Sequence, residues 1–285
     1  MINKAIEINY LKLPFPKRGL YYIIRNKYRQ KGDKEMIDIH SHILASIDDG
    51  SKNIEMTINM LKKAELSGTT DIIATPHFMR GRFEVEYNEV LKMVEELKKI
   101  TRENNIDINI YAGQEVYYSK NILEYYNDKL IGTINNTKYM LIELPILEFN
   151  IDEVVNTIYE LQIRGITPII AHPERYKPFI KKPSMINSLI KEGMLFQLNA
   201  GSLTGSFGKD VKKTATKYLE SSIYSFIGSD AHRDRGRDTN IKEALGILER
   251  SQRKAFINNG RLMLENEEVS FKGTLVKEKK FLGIF

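Results

Sequence analysis

From residue 36 onward, short runs rich in Ile, Leu, Val and Tyr alternate with longer segments whose apolar side chains recur every three or four positions. The first pattern predicts strands and the second amphipathic helices. Strands are expected over 36–40, 71–75, 108–113, 139–144, 167–171, 194–199 and 224–228. Between them, Ile54, Ile58 and Leu61 share one helical face, as do Val90, Val94 and Leu97, and likewise Ile151, Val154, Ile158 and Leu161. Leu141-Ile142 and Ile169-Ile170-Ala171 are continuous rather than alternating, as strands covered on both faces are. The rhythm predicts an α/β domain with a parallel sheet, either closed into a barrel or doubly wound. No repeat, low-complexity tract or Pro/Gly-rich linker divides the body, so 36–264 reads as one domain. Residues 1–35 read as a basic N-terminal extension, and 265–285, which lose the β-α rhythm, as a C-terminal tail.

Charge first suggests an anionic partner, because the chain of 285 residues carries a formal +6. The excess is local. Residues 1–35 hold nine Lys/Arg and three Asp/Glu, which accounts for 9 − 3 = +6, leaving 34 residues of each sign for the remainder. A neutral body offers no basic track for a nucleic-acid backbone, so no nucleic-acid partner is expected. The extension combines its charges with Tyr21, Tyr22, Ile23 and Ile24, a composition able to lie on a membrane surface or on a partner. It lacks the uninterrupted apolar centre of a secretion signal, and no run is long enough for a transmembrane segment. Cysteine is absent altogether. That excludes disulfides, thiolate ligands and a Cys nucleophile, and it fits a reducing, cytoplasmic setting.

The five histidines carry the chemistry. His40, His42, His77, His172 and His232 each fall at or just past the end of an expected strand. Acidic residues join them: Asp48 and Asp49 after the first strand, Glu115 after the third, Glu143 in the fourth, Asp230 after the seventh. Strand C-termini of parallel β-α folds converge on one face, where residues distant in sequence meet around a ligand. A lone H-x-H is a weak signal, yet Asp230-Ala231-His232 repeats its spacing on the last strand, next to the first in a closed barrel. Imidazole and carboxylate without thiolate suit Mn, Fe, Zn or Co. About nine such donors exceed what one ion takes, so two or three ions are expected. Such a centre generates hydroxide from bridging water and stabilises phosphoryl oxygens, which makes phosphate-ester hydrolysis the natural reaction. Arg175 and Arg237 are placed to hold phosphate oxygens. The glycines around 201–208 do not form a Walker loop, since Leu203 stands where its first Gly is needed.

MIDIHSHILASIDDGS from Met36, ATPHF from Ala74, Gly113-Gln114-Glu115-Val116, IELP from Ile142, AHPERY from Ala171, QLNAGSLTGSFG from Gln197 and GSDAHR from Gly228 follow in order. In these motifs the chain resembles the PHP superfamily and, within it, the bacterial CpsB/YwqE-type metal-dependent protein-tyrosine phosphatases of capsule and exopolysaccharide loci. The resemblance spans roughly 36–260. It implies a distorted TIM-like barrel of seven β-α units, the (β/α)7 PHP fold. It also implies that His40, His42, Asp49, His77, Glu115, Glu143, His172, Asp230 and His232 ligate three divalent ions, usually Mn2+, with Arg175 and Arg237 on the phosphate and a metal-bridging hydroxide as nucleophile. The implied partner is a phosphotyrosine protein, the tail of a tyrosine autokinase. Where many relatives have Asn after the last His, this chain has Arg233, Asp234 and Arg235, so Arg235 stands beside Arg237 as a candidate for the second phosphate-binding arginine. The rival readings are a small-molecule phosphoesterase of the histidinol-phosphate type and a non-catalytic binder of a kinase tail.

Overall fold

Seven strand positions run parallel around the domain, each at the place its apolar run predicts, and two of them are broken in mid-course. The computed structural model describes residues 36–277; the extension over 1–35, with its expected membrane or partner contact, and 278–285 lie outside the described residues. The strands are β1 (Met36–Ser41), β2 (Thr69–Ala74), β3 (His77–Phe78), β4 (Asn109–Ala112), β5 (Glu115–Tyr117), β6 (Tyr139–Glu143), β7 (Thr167–Ile170), β8 (Leu195–Asn199) and β9 (Phe226–Gly228). Hydrogen bonding orders them β1-β2-β4 in one sheet and β3-β5-β6-β7-β8-β9 in another. β3 continues β2 across Thr75-Pro76, where proline supplies no N–H, and β5 continues β4 across Gly113-Gln114. The ladder carries on through the breaks: Gly113 donates to the Ala74 carbonyl and Glu115 to that of Pro76.

The ring closes between its first and last members. His42 N–H donates to the Ala231 carbonyl at 2.9 Å, and Asp230 N–H to that of His40 at 2.8 Å. The result is the distorted β-α barrel expected for this chain. Closure is tight because position 228 has no side chain: a Cβ there would lie 2.5 Å from His40 Cβ and 3.1 Å from the His40 nitrogen.

β1 is also bulged. From Asp38 to Ser41 it advances three residues while β2 advances two, from Ile72 to Ala74. The extra residue shifts the alternation, so that Ile37 and Ile39 point into the barrel and His40 and His42 continue on the same side above them. Ile37, Ile39, Ile73, Leu141, Ile169, Leu195 and Phe226 fill that interior. Each such side chain contributes about 1.5–3 kcal/mol when removed fully from water.

The helices cover the outside largely as their periodicity requires. Tyr87–Glu103 buries Val90, Val94 and Leu97, and Ile151–Ile163 buries Val154, Ile158 and Leu161. Ile54–Ser67 is turned relative to expectation: it buries Thr57, Met60, Leu61 and Ala64, and leaves Ile54 43% exposed. The helix is entered from solvent, capped by Asn53, so its first residue stands outside the core. Residues 265–277 lie against the N-terminal ends of the strands. Val269 and Val276 are buried, the Tyr139 hydroxyl donates to the Glu267 carbonyl, and Asn187 pairs with the Val276 backbone. No helix among the described residues is long and apolar enough to cross a membrane.

Gly228→Ala is expected to lower stability by about 1–3 kcal/mol, the range for overpacking a close-packed site. A urea midpoint equal to that of the unsubstituted protein would contradict the tight β1–β9 seam.

Candidate metal centre

The C-terminal rim of the barrel brings all nine predicted donors into one cluster. His40 is the last residue but one of β1 and His42 follows that strand, Asp49 lies in the loop beyond it, His77 opens β3, Glu115 opens β5, Glu143 ends β6, His172 follows β7, and Asp230 and His232 follow β9. Both strand breaks therefore fall just before a donor. Two donors sit on left-handed backbone, His172 with φ 30° and Asp230 with φ 51°. For residues other than glycine such conformations cost on the order of 1–3 kcal/mol and persist where the surroundings dictate them. Here the Asp230 N–H is held by the His40 carbonyl, and the His172 carbonyl accepts from Arg175 N–H.

Donor atoms converge on three points. His42, Asp49, His77 and His232 form one group; His40, His42, Glu115 and Asp230 a second; His77, Glu115 and Glu143 a third, with the atoms of each group within 4.8 Å of one another. His172 joins the third, its Nε2 lying 3.0 Å from Glu115 Oε1 and 3.6 Å from Glu143 Oε1. Glu115 is common ground: its Oε2 lies 3.1 Å from His40 Nε2, 3.2 Å from His42 Nε2 and 3.1 Å from His77 Nδ1.

The residues fit divalent ions on two counts. First, several buried donor atoms have short neighbours yet no hydrogen-bond partner, among them His77 Nδ1, Glu115 Oε2, Asp230 Oδ1 and His232 Nε2. Atoms so arranged aim at shared points between them rather than at one another, and an unpartnered buried polar atom is costly unless something fills that point. Second, carboxyl groups outnumber the permanent cations. The side chains of Asp48, Glu115 and Asp230 are essentially inaccessible and that of Glu143 nearly so, while the cations touching the cluster are Arg175 and Arg237. Burial pushes His77 and His172 down to about 4, with the Arg175 charge adding to the effect on His172, so both imidazoles are neutral at pH 7 and offer a lone pair. Burial and the neighbouring Glu115 charge push Glu143 well above the usual carboxylate range. The His232 imidazole, with Nε2 3.3 Å from Asp49 Oδ1, holds Asp49 low. Glu143 thus keeps a proton where a cation would go, and metal binding displaces it.

Both arginines reach the centre. Arg175 Nη1 and Arg237 Nη2 each lie 2.5 Å from Asp230 Oδ2. Of the three arginines after His232, Arg237 lines the cleft over the centre, whereas Arg233 and Arg235 are exposed. Its position follows from the loop closing on itself: the Arg237 carbonyl accepts from both His232 and Arg233 N–H groups, with Gly236 at φ 77° making the turn. The cleft, about 500 Å³, is walled by Met79, Phe83, Tyr117, Pro145, Ile146 and Leu147.

Sequence reasoning named Asp48 among the acidic residues of the rim but not its role, and did not single out Gln197 or Asn199 as supports. Asp48 Oδ2 lies 2.7 Å from His42 Nδ1 and accepts from His77 N–H at 3.0 Å, which orients two donors at once. Gln197 Oε1 lies 3.0 Å from His40 Nδ1 and accepts from His172 N–H, again spanning two donors. Asn199 donates to Asp230 Oδ2 at 2.8 Å. Asp48 stood next to the predicted Asp49, and Gln197 and Asn199 lay within a quoted motif; what was lacking was any pattern that distinguishes a side chain facing an ion from one facing a ligand's far nitrogen.

Fold and donor set define the class: a parallel β-α barrel with His/Asp/Glu clusters able to hold metal ions at the C-terminal rim. Within it, the chain belongs to the capsular polysaccharide synthesis family CpsB/CapC, whose model matches residues 36–271. It is 37% identical over 256 residues to CapC of Staphylococcus aureus, provisionally named a tyrosine-protein phosphatase, covering 87% of this chain and 100% of that one. It is 33% identical over 259 residues to the tyrosine-protein phosphatase YwqE of Bacillus subtilis strain 168, covering 88% and 100%. A solved chain from work on YwqE of B. subtilis and CpsB of Streptococcus pneumoniae, described as metal-dependent tyrosine phosphatases, superposes with a TM-score of 0.80 at 32% identity, over 85% of this chain and 100% of that one.

Asp48→Asn is expected to keep the fold and weaken metal binding about 10–100-fold, the range for losing a carboxylate behind a ligating imidazole. Competition against a fluorescent chelator measures it; unchanged affinity would deny Asp48 its orienting role.

Proposed function

We propose that the protein is a metal-dependent phosphatase that removes phosphate from tyrosine on proteins, the tail of a tyrosine autokinase controlling capsule or exopolysaccharide synthesis being its partner. The observation that carries this reading is that three groups of converging donors lie together at the barrel rim, two of them, with both guanidiniums, lining one cleft. The named relatives support the reaction, and the family supports the capsule setting.

In this reading His40, His42, Glu115 and Asp230 hold one ion, His42, Asp49, His77 and His232 a second, and His77, Glu115, Glu143 and His172 a third. Manganese is the ion assigned, and the same donors serve iron, zinc or cobalt. Bound there, such ions acidify water and offset phosphate charge. The protein's own groups do the rest. Arg175 and Arg237 exchange the Asp230 carboxylate for non-bridging phosphate oxygens, and Arg237 Nε, buried without an acceptor, supplies a further donor. The apolar wall of Phe83, Tyr117 and Leu147 receives the phenyl ring and keeps water from its flanks. The leaving phenol has a pKa of about 10, so protonation by a general acid assists departure without being required. With no cysteine in the chain, the thiolate route to the same reaction is closed. Residues 36–264 form the phosphatase domain in this account, with the basic extension before it and the tail after it, and a cytoplasmic location fits the cysteine-free composition.

Chelator-stripped full-length protein is expected to lose phosphate release from a phosphotyrosine peptide and regain it with manganese. Arg175→Ala should lower kcat/KM by about 10²–10³-fold, the loss found when one preorganised donor to a developing oxyanion is removed. Preferential hydrolysis of an alkyl phosphate such as histidinol phosphate would favour the small-molecule reading. Phosphopeptide binding without release, in metal-replete protein, would favour a non-catalytic binder.

A further inference from the structure

We propose that Phe207 is a positioning residue that holds Arg175 and Arg237 as a pair, ready for the oxygens of one phosphate. The inference rests on the reading of those arginines as the phosphate-binding groups. The Arg175 guanidinium carbon lies 4.6 Å from the centre of the Phe207 ring, and that of Arg237 lies 5.8 Å from it. One aromatic ring thus serves two cations from different loops, Arg175 from the turn after β7 and Arg237 from the loop after β9.

Their other shared partner is Asp230 Oδ2, which accepts from both guanidiniums and from Asn199 as well. That oxygen competes with a phosphate for guanidinium N–H groups, so it is a poor element to aim the arginines once phosphate binds. Once they turn, two like charges close together need a fixed neighbour that lowers their energy and competes for none of their N–H groups. The face of an aromatic ring meets both needs: its quadrupole attracts cations, and it accepts no conventional hydrogen bond that the phosphate requires. A carboxylate in its place would cancel the positive charge the site needs.

The backbone is shaped to deliver this ring. Phe207 lies between Gly205 at φ 91° and Gly208 at φ 94°, two left-handed positions that reverse the chain after the short helix Ala200–Thr204. The ring then settles on Gly201, where an added Cβ would come within 2.9 Å of Phe207 Cε2. Asn199, which donates to Asp230, caps the same helix by accepting from Gly201 N–H at 2.9 Å. The segment QLNAGSLTGSFG therefore holds a support for His40 at its first residue, a support for Asp230 at its third and the arginine platform near its end.

The test is calorimetric binding of inorganic phosphate to the manganese-loaded full-length protein, with metal content and phosphotyrosine-peptide kinetics measured on the same samples. Phe207→Leu is expected to weaken phosphate binding about tenfold, as the loss of two partly buried cation–π contacts implies. KM should rise in parallel, with metal content unchanged. Phe207→Tyr, which keeps the ring face, should return the affinity to within about twofold of the unsubstituted value. Gly201→Ala displaces the ring without changing its chemistry and should weaken phosphate about threefold; it decides the matter if Phe207→Leu does not fold. Phosphate affinity in Phe207→Leu equal to that of the unsubstituted protein would overturn the proposal even with phosphatase activity present, as would failure of the unsubstituted protein to bind phosphate. Phe207-dependent phosphate binding in a protein that releases none from phosphotyrosine would leave the positioning role standing and remove the phosphatase reading instead.

Discussion

Glu115 is a carboxylate with 1% of its side chain accessible, set within 3.2 Å of three imidazoles through one oxygen and 3.0 Å from a fourth through the other. Burial alone would raise its pKa, yet the charge of neighbouring His40 holds it well below the usual range, so it stays charged in the barrel mouth. An isolated buried carboxylate is too costly to keep, and of its four imidazole neighbours His77 and His172 are neutral at pH 7 and do little to offset it. Positive charge must lie between Glu115 and its neighbours, and the remaining geometry of the rim follows from supplying points where it can sit. The break at Gly113-Gln114 lets Glu115 start a new strand, paired with His77 on one side and Leu141 on the other.

The apolar interior makes such a rim affordable. Fully buried Ile, Leu and Phe side chains below the donors contribute the stability that two left-handed donors and a crowded set of carboxylates draw down. Rigidity matters as much as stability. His40 and His42 reach the interior because a bulge re-phases β1, and they stay there because β9 is stitched to β1 at the same height. The ions, the arginines and the substrate ring would otherwise each find a site loose by about an ångström, which is enough to lose much of a catalytic advantage.

Much of this was legible along the chain, and the parts that were not share a cause. Seven strand positions and the cluster of histidines and acids at the rim could be read because buried parallel strands leave continuous apolar runs and because every histidine lay at the end of one; only the family resemblance narrowed that cluster to nine expected donors. The two broken strands were not separable from whole ones, since Pro76 and Gly113 mark a loop and a mid-strand break equally well. The outward turn of Ile54 was set by where the chain enters its helix, which helical periodicity alone does not encode. Asp48, Gln197 and Phe207 act through a second residue brought near by folding, and their own spacing carries no trace of that role. Arg237 could be chosen over Arg235 only once the 232–237 loop was seen to close on itself.

Membership of the CpsB/CapC family, a cleft edged by Phe83 and Tyr117, and a cysteine-free chain all agree with chemistry carried by metal ions and guanidiniums. That account stands on the claim that the three convergences of donor atoms are ion sites. Anomalous diffraction from crystals of the manganese-loaded protein tests it most directly. The account predicts three peaks per chain, each within coordinating distance of one donor group and two of them sharing Glu115. A single peak or none, from protein whose thermal midpoint does not respond to chelator, would contradict it.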